Sequence, residues 1–161
     1  MVIYSFSKGN FFMKKQFVVW SDQFSIGVKA IDEQHKGLFA LTNDLYDACQ
    51  EKGGVAVEHF KGVLQKAVGY VAMHFSTEET IMKNTRDPNY NSHKKEHDLF
   101  VKKVMKEANN LAQGGSDAPE IFMNFLRDWI SKHVTNTDIK IGQHIAGLRE
   151  KGLLKIDVNS S

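Results

Sequence analysis

Seven histidines and a single cysteine stand out in a chain of 161 residues. Five of the histidines sit at helical spacing among apolar residues, where a folded chain would bury them. His35 lies in the run Ile31, His35, Leu38, Thr42, Leu45, Cys49. His74 and Glu78 continue the stripe Phe60, Leu64, Ala67, Val71 at steps of three and four. His93 and His97 lead Phe100, Val104 and Leu111, and His133 closes Phe122, Leu126 and Trp129. An imidazole or carboxylate buried alone costs several kcal/mol, so a buried set must be hydrogen-bonded, paired or metal-bound. Pairs at i, i+4, such as His74/Glu78 and His93/His97, project from one helix face about a turn apart. Two ligands of one metal need that spacing.

The elements that must position these side chains read as four helices. The first runs roughly over 31–51 and is expected to end at Gly53-Gly54. The second runs over 55–84, where Asp87-Pro88 forces a turn. The third covers 90–113, before Gly114-Gly115; the fourth starts at the cap Ser116-Asp117, with Pro119 in its first turn. A short further helix is expected within 139–154. Strand signals are absent. The fold class is therefore all-α: an up-down-up-down four-helix bundle (31–154) with an N-terminal arm (1–30) and a frayed tail (155–161). The arm is expected to pack through Phe17, Val19, Trp20 and Phe24, and Met13 is an alternative start to Met1. In such a bundle the start of helix one, the end of two, the start of three and the end of four share one end. The titratable groups converge in one layer.

Composition narrows the function. A net charge of +2 lacks the basic excess of a nucleic-acid binder. No run approaches the roughly 18 apolar residues of a membrane helix. Only Phe17–Trp20 follows Met13-Lys14-Lys15, too short for a secretory segment, so a cytoplasmic protein is expected. One cysteine excludes a disulfide framework, a Cys₄ zinc site and an iron–sulfur cluster. A ferritin-like di-iron oxidase needs two Glu-x-x-His motifs, and only Asp32-x-x-His35 comes near. His93-Lys94-Lys95-Glu96-His97 matches H-x-x-E-H, a zinc-peptidase signature in which Glu96 is the general base. That reading leaves His35, His74 and His133 unused. His59 and His144 fall outside the layer and read as surface or capping residues, Cys49 as a small core residue, and Lys94-Lys95 and Lys102-Lys103 as a solvated face.

Each spacing is common alone, but together, in this order, they arise in roughly one random chain in a hundred. The set Ile31-Asp32-Glu33-Gln34-His35, His74-Phe75-Ser76-Thr77-Glu78-Glu79, His93-x₃-His97 and Trp129-x₃-His133-x₄-Asp138 resembles the hemerythrin family, in particular its single-domain bacteriohemerythrins. The resemblance implies two non-haem irons joined by a bridging oxide or hydroxide. His93, His97 and His133 would hold one iron, His35 and His74 the other, with Glu78 and Asp138 bridging. Two octahedral irons offer twelve positions, and this ligand set fills eleven. The vacancy falls on the two-histidine iron, where the resemblance places reversible O₂ binding for storage, transport or delivery. Leu38, Phe75 and Trp129 would wall the O₂ pocket, and Asn136 stands where an apolar residue would exclude water better. An O₂ or redox sensor and a di-iron oxidase or peroxidase are the alternative uses of such a centre. Asp138 is geometrically awkward. Five residues from His133 is about 140° round an α-helix, so both reach one site only if the helix loosens between them.

Overall fold

The structure, a computed structural model, describes residues 4–5, 14–50, 54–112, 118–154 and 158. Helices α1 (Lys29–Gln50), α2 (Gly54–Thr85), α3 (Tyr90–Ala112) and α4 (Ala118–His133) form the all-α bundle. A π-helical turn, Val134–Asp138, then leads into α5 (Ile139–Glu150), the short extra helix read from the sequence. Gly54 opens α2 rather than closing the first helix. Gly53, Gly114-Gly115 and the Ser116-Asp117 cap lie outside the described residues, and Pro119 is the second residue of α4.

Strands are not wholly absent. Tyr4–Ser5 and Lys14–Lys15 form a two-residue antiparallel ladder in the arm, too short to carry a periodicity signal. The arm then crosses α1, where Asn43 accepts from the backbone N–H groups of Phe17 and Val18 at 2.9 and 3.0 Å. Phe17 stacks on Tyr46, while Phe24 packs on Phe39 and Trp20. Val18 rather than Val19 is the buried valine of this segment. The first turn of α1 is anchored by Asp32, which accepts from Ile26 N–H and Ser25 Oγ at 2.7 Å each. A carboxylate there also suits the positive end of the helix dipole.

Helix ends are set by local chemistry. At the end of α2, Asp87 N–H reaches Met82 O and Arg86 N–H reaches Lys83 O, the paired bonds of a Schellman cap. Arg86 takes the left-handed position, φ 54°, that glycine usually fills. Asp87 then accepts from the Asn89 N–H at 2.8 Å and starts the turn into α3. His144 of α5 donates to the free Thr85 carbonyl at 2.9 Å, which makes it the capping residue expected. α5 ends on a second Schellman cap at Gly152, φ 63°.

Three apolar clusters hold the frame. The largest, with Leu45, Phe60, Phe100, Phe122 and Leu126, fills the bundle beyond the titratable layer, and Cys49 packs against it half-buried. Burial pushes the Cys49 thiol up to about 11, which leaves it an unreactive core side chain. A second cluster, with Val28, Ile31, Met82, Ile141 and Ile145, closes the opposite side of that layer. Val158, in the segment expected to fray, is buried within it. A third, with Val18, Phe24, Phe39 and Val134, seats the arm. The titratable layer is thus sealed between apolar clusters.

Candidate metal centre

The bundle's antiparallel order carries seven ionisable side chains to one level. α1 supplies His35 from its second turn, and α2 supplies His74 and Glu78 two to three turns before its end. α3 supplies His93 and His97 from its first two turns, α4 ends on His133, and the π turn ends on Asp138. Every one of the seven is no more than 2% exposed. Their ligand atoms fall into two groups, each within 4.8 Å: Glu78, His93, His97, His133, and His35, His74, Glu78, Asp138. Glu78 belongs to both.

The spacing inside the cluster is that of ligands around a metal. His93 Nε2 and His97 Nε2 are 2.9 Å apart, and His97 and His133 Nε2 are 3.2 Å apart. Two ligands about 2.1 Å from one ion and at right angles lie about 3.0 Å apart. Asp138 reaches both groups, with Oδ1 3.0 Å from His133 Nε2 and Oδ2 3.1 Å from His35 Nε2. Glu78 Oε2 lies 3.1 Å from His97 Nε2, and Oε1 lies 3.4 Å from His74 Nε2. Glu78 Oε1 and Asp138 Oδ1 are nevertheless buried without a hydrogen-bond donor. Buried carboxylate oxygens left unpaired at the centre of an imidazole ring set suit a divalent or trivalent cation. The residues present fit a metal.

The π turn answers the awkward geometry of Asp138. With i→i+5 bonding, one turn takes roughly one residue more than in an α-helix. Residues five apart then sit about where residues four apart sit in an α-helix, roughly 40° out of line instead of about 140°. His133 and Asp138 therefore face one point, and Thr137 is turned inward beside them.

Electrostatics follow from crowding. Burial alone would raise Glu78, but His74 and hydrogen bonds with His35, His93 and His97 hold it well below the carboxylate range. Burial and Glu78 push Asp138 up, while His133 and His35 outweigh both, and it too is lowered. Burial pulls His35 down, yet its contacts with Asp138 and Glu78 win and raise it to about 9. His133 is raised, with burial again opposed by Asp138. His74 has less carboxylate contact, so burial dominates and brings it down to about 4. Both carboxylates are anionic at neutral pH. Cations, protons or metal, are drawn to them.

Outside the ligand atoms lies a set of partners that periodicity alone did not single out. His74 Nδ1 donates to Gln34 Oε1 at 3.2 Å, His97 Nδ1 to Glu79 Oε1 at 3.1 Å, and His133 Nδ1 to Glu96 Oε2 at 3.0 Å. These bonds fix the tautomer that turns Nε2 inward. Glu96 is therefore engaged behind a histidine, which removes the general base of the peptidase reading. The signal available was adjacency, since Gln34 precedes His35 and Glu79 follows Glu78. Trp20 of the arm was missed as a site neighbour, its ring lying 6.3 Å from that of His35.

The residues expected to wall a pocket lie beside the cluster. Phe75 stacks on His97 with centroids 3.6 Å apart, and Trp129 stacks on His133 at 4.2 Å. Leu38 is buried on α1, one turn after His35. Asn136 is exposed, in the lining of an open cleft of about 400 Å³ with Glu96, Trp129 and Lys132. His59 is exposed at the far end of α2. Of the four lysines, Lys95 and Lys102 are exposed, Lys94 pairs with Asp98, and Lys103 pairs with the buried Glu107.

Comparison with known proteins agrees with this geometry. The profile of the hemerythrin HHE cation binding domain matches residues 26–144. The chain belongs to the hemerythrin family. A bacteriohemerythrin of Pseudomonas aeruginosa (strain LESB58) is 34% identical over 121 residues, covering 75% of this chain and 76% of that protein. A bacteriohemerythrin of Clostridium acetobutylicum is 29% identical over 124 residues, covering 74% of this chain and 95% of its own length. A crystal structure of wild-type hemerythrin superposes with a TM-score of 0.74 at 27% identity, covering 81% of this chain and 98% of that one. As a hemerythrin-family chain it has the family's bundle and a His/Glu cluster able to hold metal. Among the described residues, no helix is long and apolar enough to cross a membrane.

Proposed function

We propose that this chain binds O₂ reversibly at a non-haem di-iron centre and serves as a cytoplasmic oxygen store or carrier rather than an enzyme. The observation that carries the reading is the pair of four-residue ligand groups sharing Glu78, one with three histidines and one with two. His93, His97 and His133 would hold one iron and His35 and His74 the other, with Glu78 and Asp138 spanning both. Held there, a di-iron pair would supply reversible two-electron chemistry toward O₂.

The protein's own part is positional. Five imidazoles are presented through Nε2, three of them held from behind by Gln34, Glu79 and Glu96. Because Asp138 also reaches His133, the three-histidine position would draw on one more protein ligand than the two-histidine position, so a six-coordinate ion at the latter would keep a position for a small molecule. Phe75 and Trp129 pack on His97 and His133, and Leu38 is buried one turn after His35, so apolar surface flanks both groups and disfavours charge separation and irreversible oxidation. The two buried carboxylates face the imidazoles, and Glu96 is engaged by His133 and Thr137, which supports ligand holding over general-base catalysis.

The test is iron content together with the visible spectrum of the reduced protein under argon, after O₂, and under argon again. Two irons per chain and a band that appears with O₂ and vanishes without it are expected. One zinc and no colour would return the H-x-x-E-H peptidase. Two irons with an O₂ response that does not reverse would point to an oxidase, peroxidase or redox sensor.

A further inference from the structure

The hydrogen bonds behind the histidines are not distributed evenly. In the three-histidine group, His97 and His133 each donate Nδ1–H to a carboxylate, Glu79 at 3.1 Å and Glu96 at 3.0 Å. In the two-histidine group, His74 donates to the neutral amide of Gln34, and His35 Nδ1 is buried with no hydrogen-bond partner among the described residues. We propose that Glu79 and Glu96 are positioning residues that make the two metal positions unequal, so that the three-histidine position fills first and holds its ion more tightly than ligand number alone would dictate. The inference rests on the two-metal reading above.

The physics is that of an imidazole between a cation and an anion. A carboxylate accepting Nδ1–H gives a shorter, stronger bond than an amide, and it shifts electron density toward Nε2. It also locks the ring plane, so less freedom is lost when the ion arrives. Both carboxylates are themselves held. Glu96 Oε2 accepts from Thr137 Oγ1 at 2.9 Å, and Glu79 Oε2 lies 3.5 Å from Lys94 Nζ. Gln34 is oriented too, its Nε2 donating to Thr77 Oγ1 at 3.0 Å. The asymmetry is therefore one of charge, not of order. Glu79 is 17% exposed and Glu96 46%, so solvent screens Glu96 more and Glu79 carries the larger share.

The experiment is a Co(II) titration of metal-free protein, followed by the visible absorption of the bound ion. The unaltered chain should take two ions in two resolved steps. Glu79→Gln keeps an acceptor and removes the charge; it should weaken the first step about 10- to 100-fold, shift the band of the first ion and leave the second step alone. Glu96→Gln should do the same more weakly, and Glu79→Asp should restore part of the loss. Gln34→Glu approaches from the other side and should tighten the second step; because it adds an anion rather than removing one, it remains informative should Glu79→Gln fold poorly. Two steps untouched by all these changes, or one unresolved step in the unaltered chain, would overturn the inference. Uptake of only one ion would instead overturn the two-metal reading.

Discussion

Deleting Thr135 should convert the π turn after α4 into plain α-helix and keep both carboxylate contacts of Asp138. Asp138 would then follow His133 by four residues, about 40° out of line, nearly the offset the π turn gives it now. Thr137 would keep its inward angle for the same reason, and α5 would keep the register that buries Ile141 and Ile145. Thr135 is exposed, and its side-chain hydroxyl donates to Ser131 O at 2.7 Å. Losing that bond costs about 1 kcal/mol, and no longer ordering one residue's backbone returns roughly 1–2 kcal/mol. The net change is therefore about 1 kcal/mol or less, a Tm shift within about 4 °C for a domain of this size. Metal per chain, by elemental analysis, and the spectrum of bound Co(II) should match the parent. A fall of one metal per chain with an intact helical spectrum would refute the geometry, because it would mean Asp138 reaches the cluster by something other than its angle on the helix.

Three other changes test different parts of the molecule. Glu78→Ala removes a side chain that belongs to both ligand groups, so both metals should be lost together in elemental analysis; loss of only one would show that the groups do not share it. At Gly142 a Cβ would fall inside the van der Waals reach of the Ile26 carbonyl oxygen, so Gly142→Ala must push the arm off α5. Overpacking of this kind costs about 1–3 kcal/mol, and Tm should fall by about 2–10 °C; an unchanged Tm would contradict the close approach. Stability of the metal-free protein should depend on pH on both sides of about 6.5. His74 titrates near 4 when folded and near 6.5 when unfolded, so the unfolded chain binds more protons between those values and stability is lost as pH falls through them. His35 is raised to about 9, so its contribution is complete below 6.5 and is lost as pH rises toward 9. Metal on His35 Nε2 leaves no proton there, and the alkaline loss should vanish in the loaded protein. A Tm of the metal-free protein that stays flat from pH 6.5 to 9 would refute the His35 assignment.

Periodicity and the turn residues determined a large part of this protein. Apolar stripes at steps of three and four define which face of each helix is buried, and antiparallel order then puts His35, His74, Glu78, His93, His97 and His133 at one level. Those are local properties, fixed by the pitch of the helix and readable from one strand of sequence. Asp138 marks the boundary. The sequence shows that an α-helix cannot aim it, but the choice of a π turn is made by burial of Val134 at its start and of Ile141 and Ile145 after it, which the chain satisfies only as a whole. The partners behind the histidines lie beyond the same boundary. Glu96 sits on α3 and is claimed by His133 and Thr137, some forty residues away in sequence, and a neighbour of that kind leaves no periodic trace. Trp20 against His35, the Asn43 clasp on the arm and the burial of Val158 are equally long-range. Spacing along a helix specifies which way a side chain points; only packing between helices specifies what it meets there.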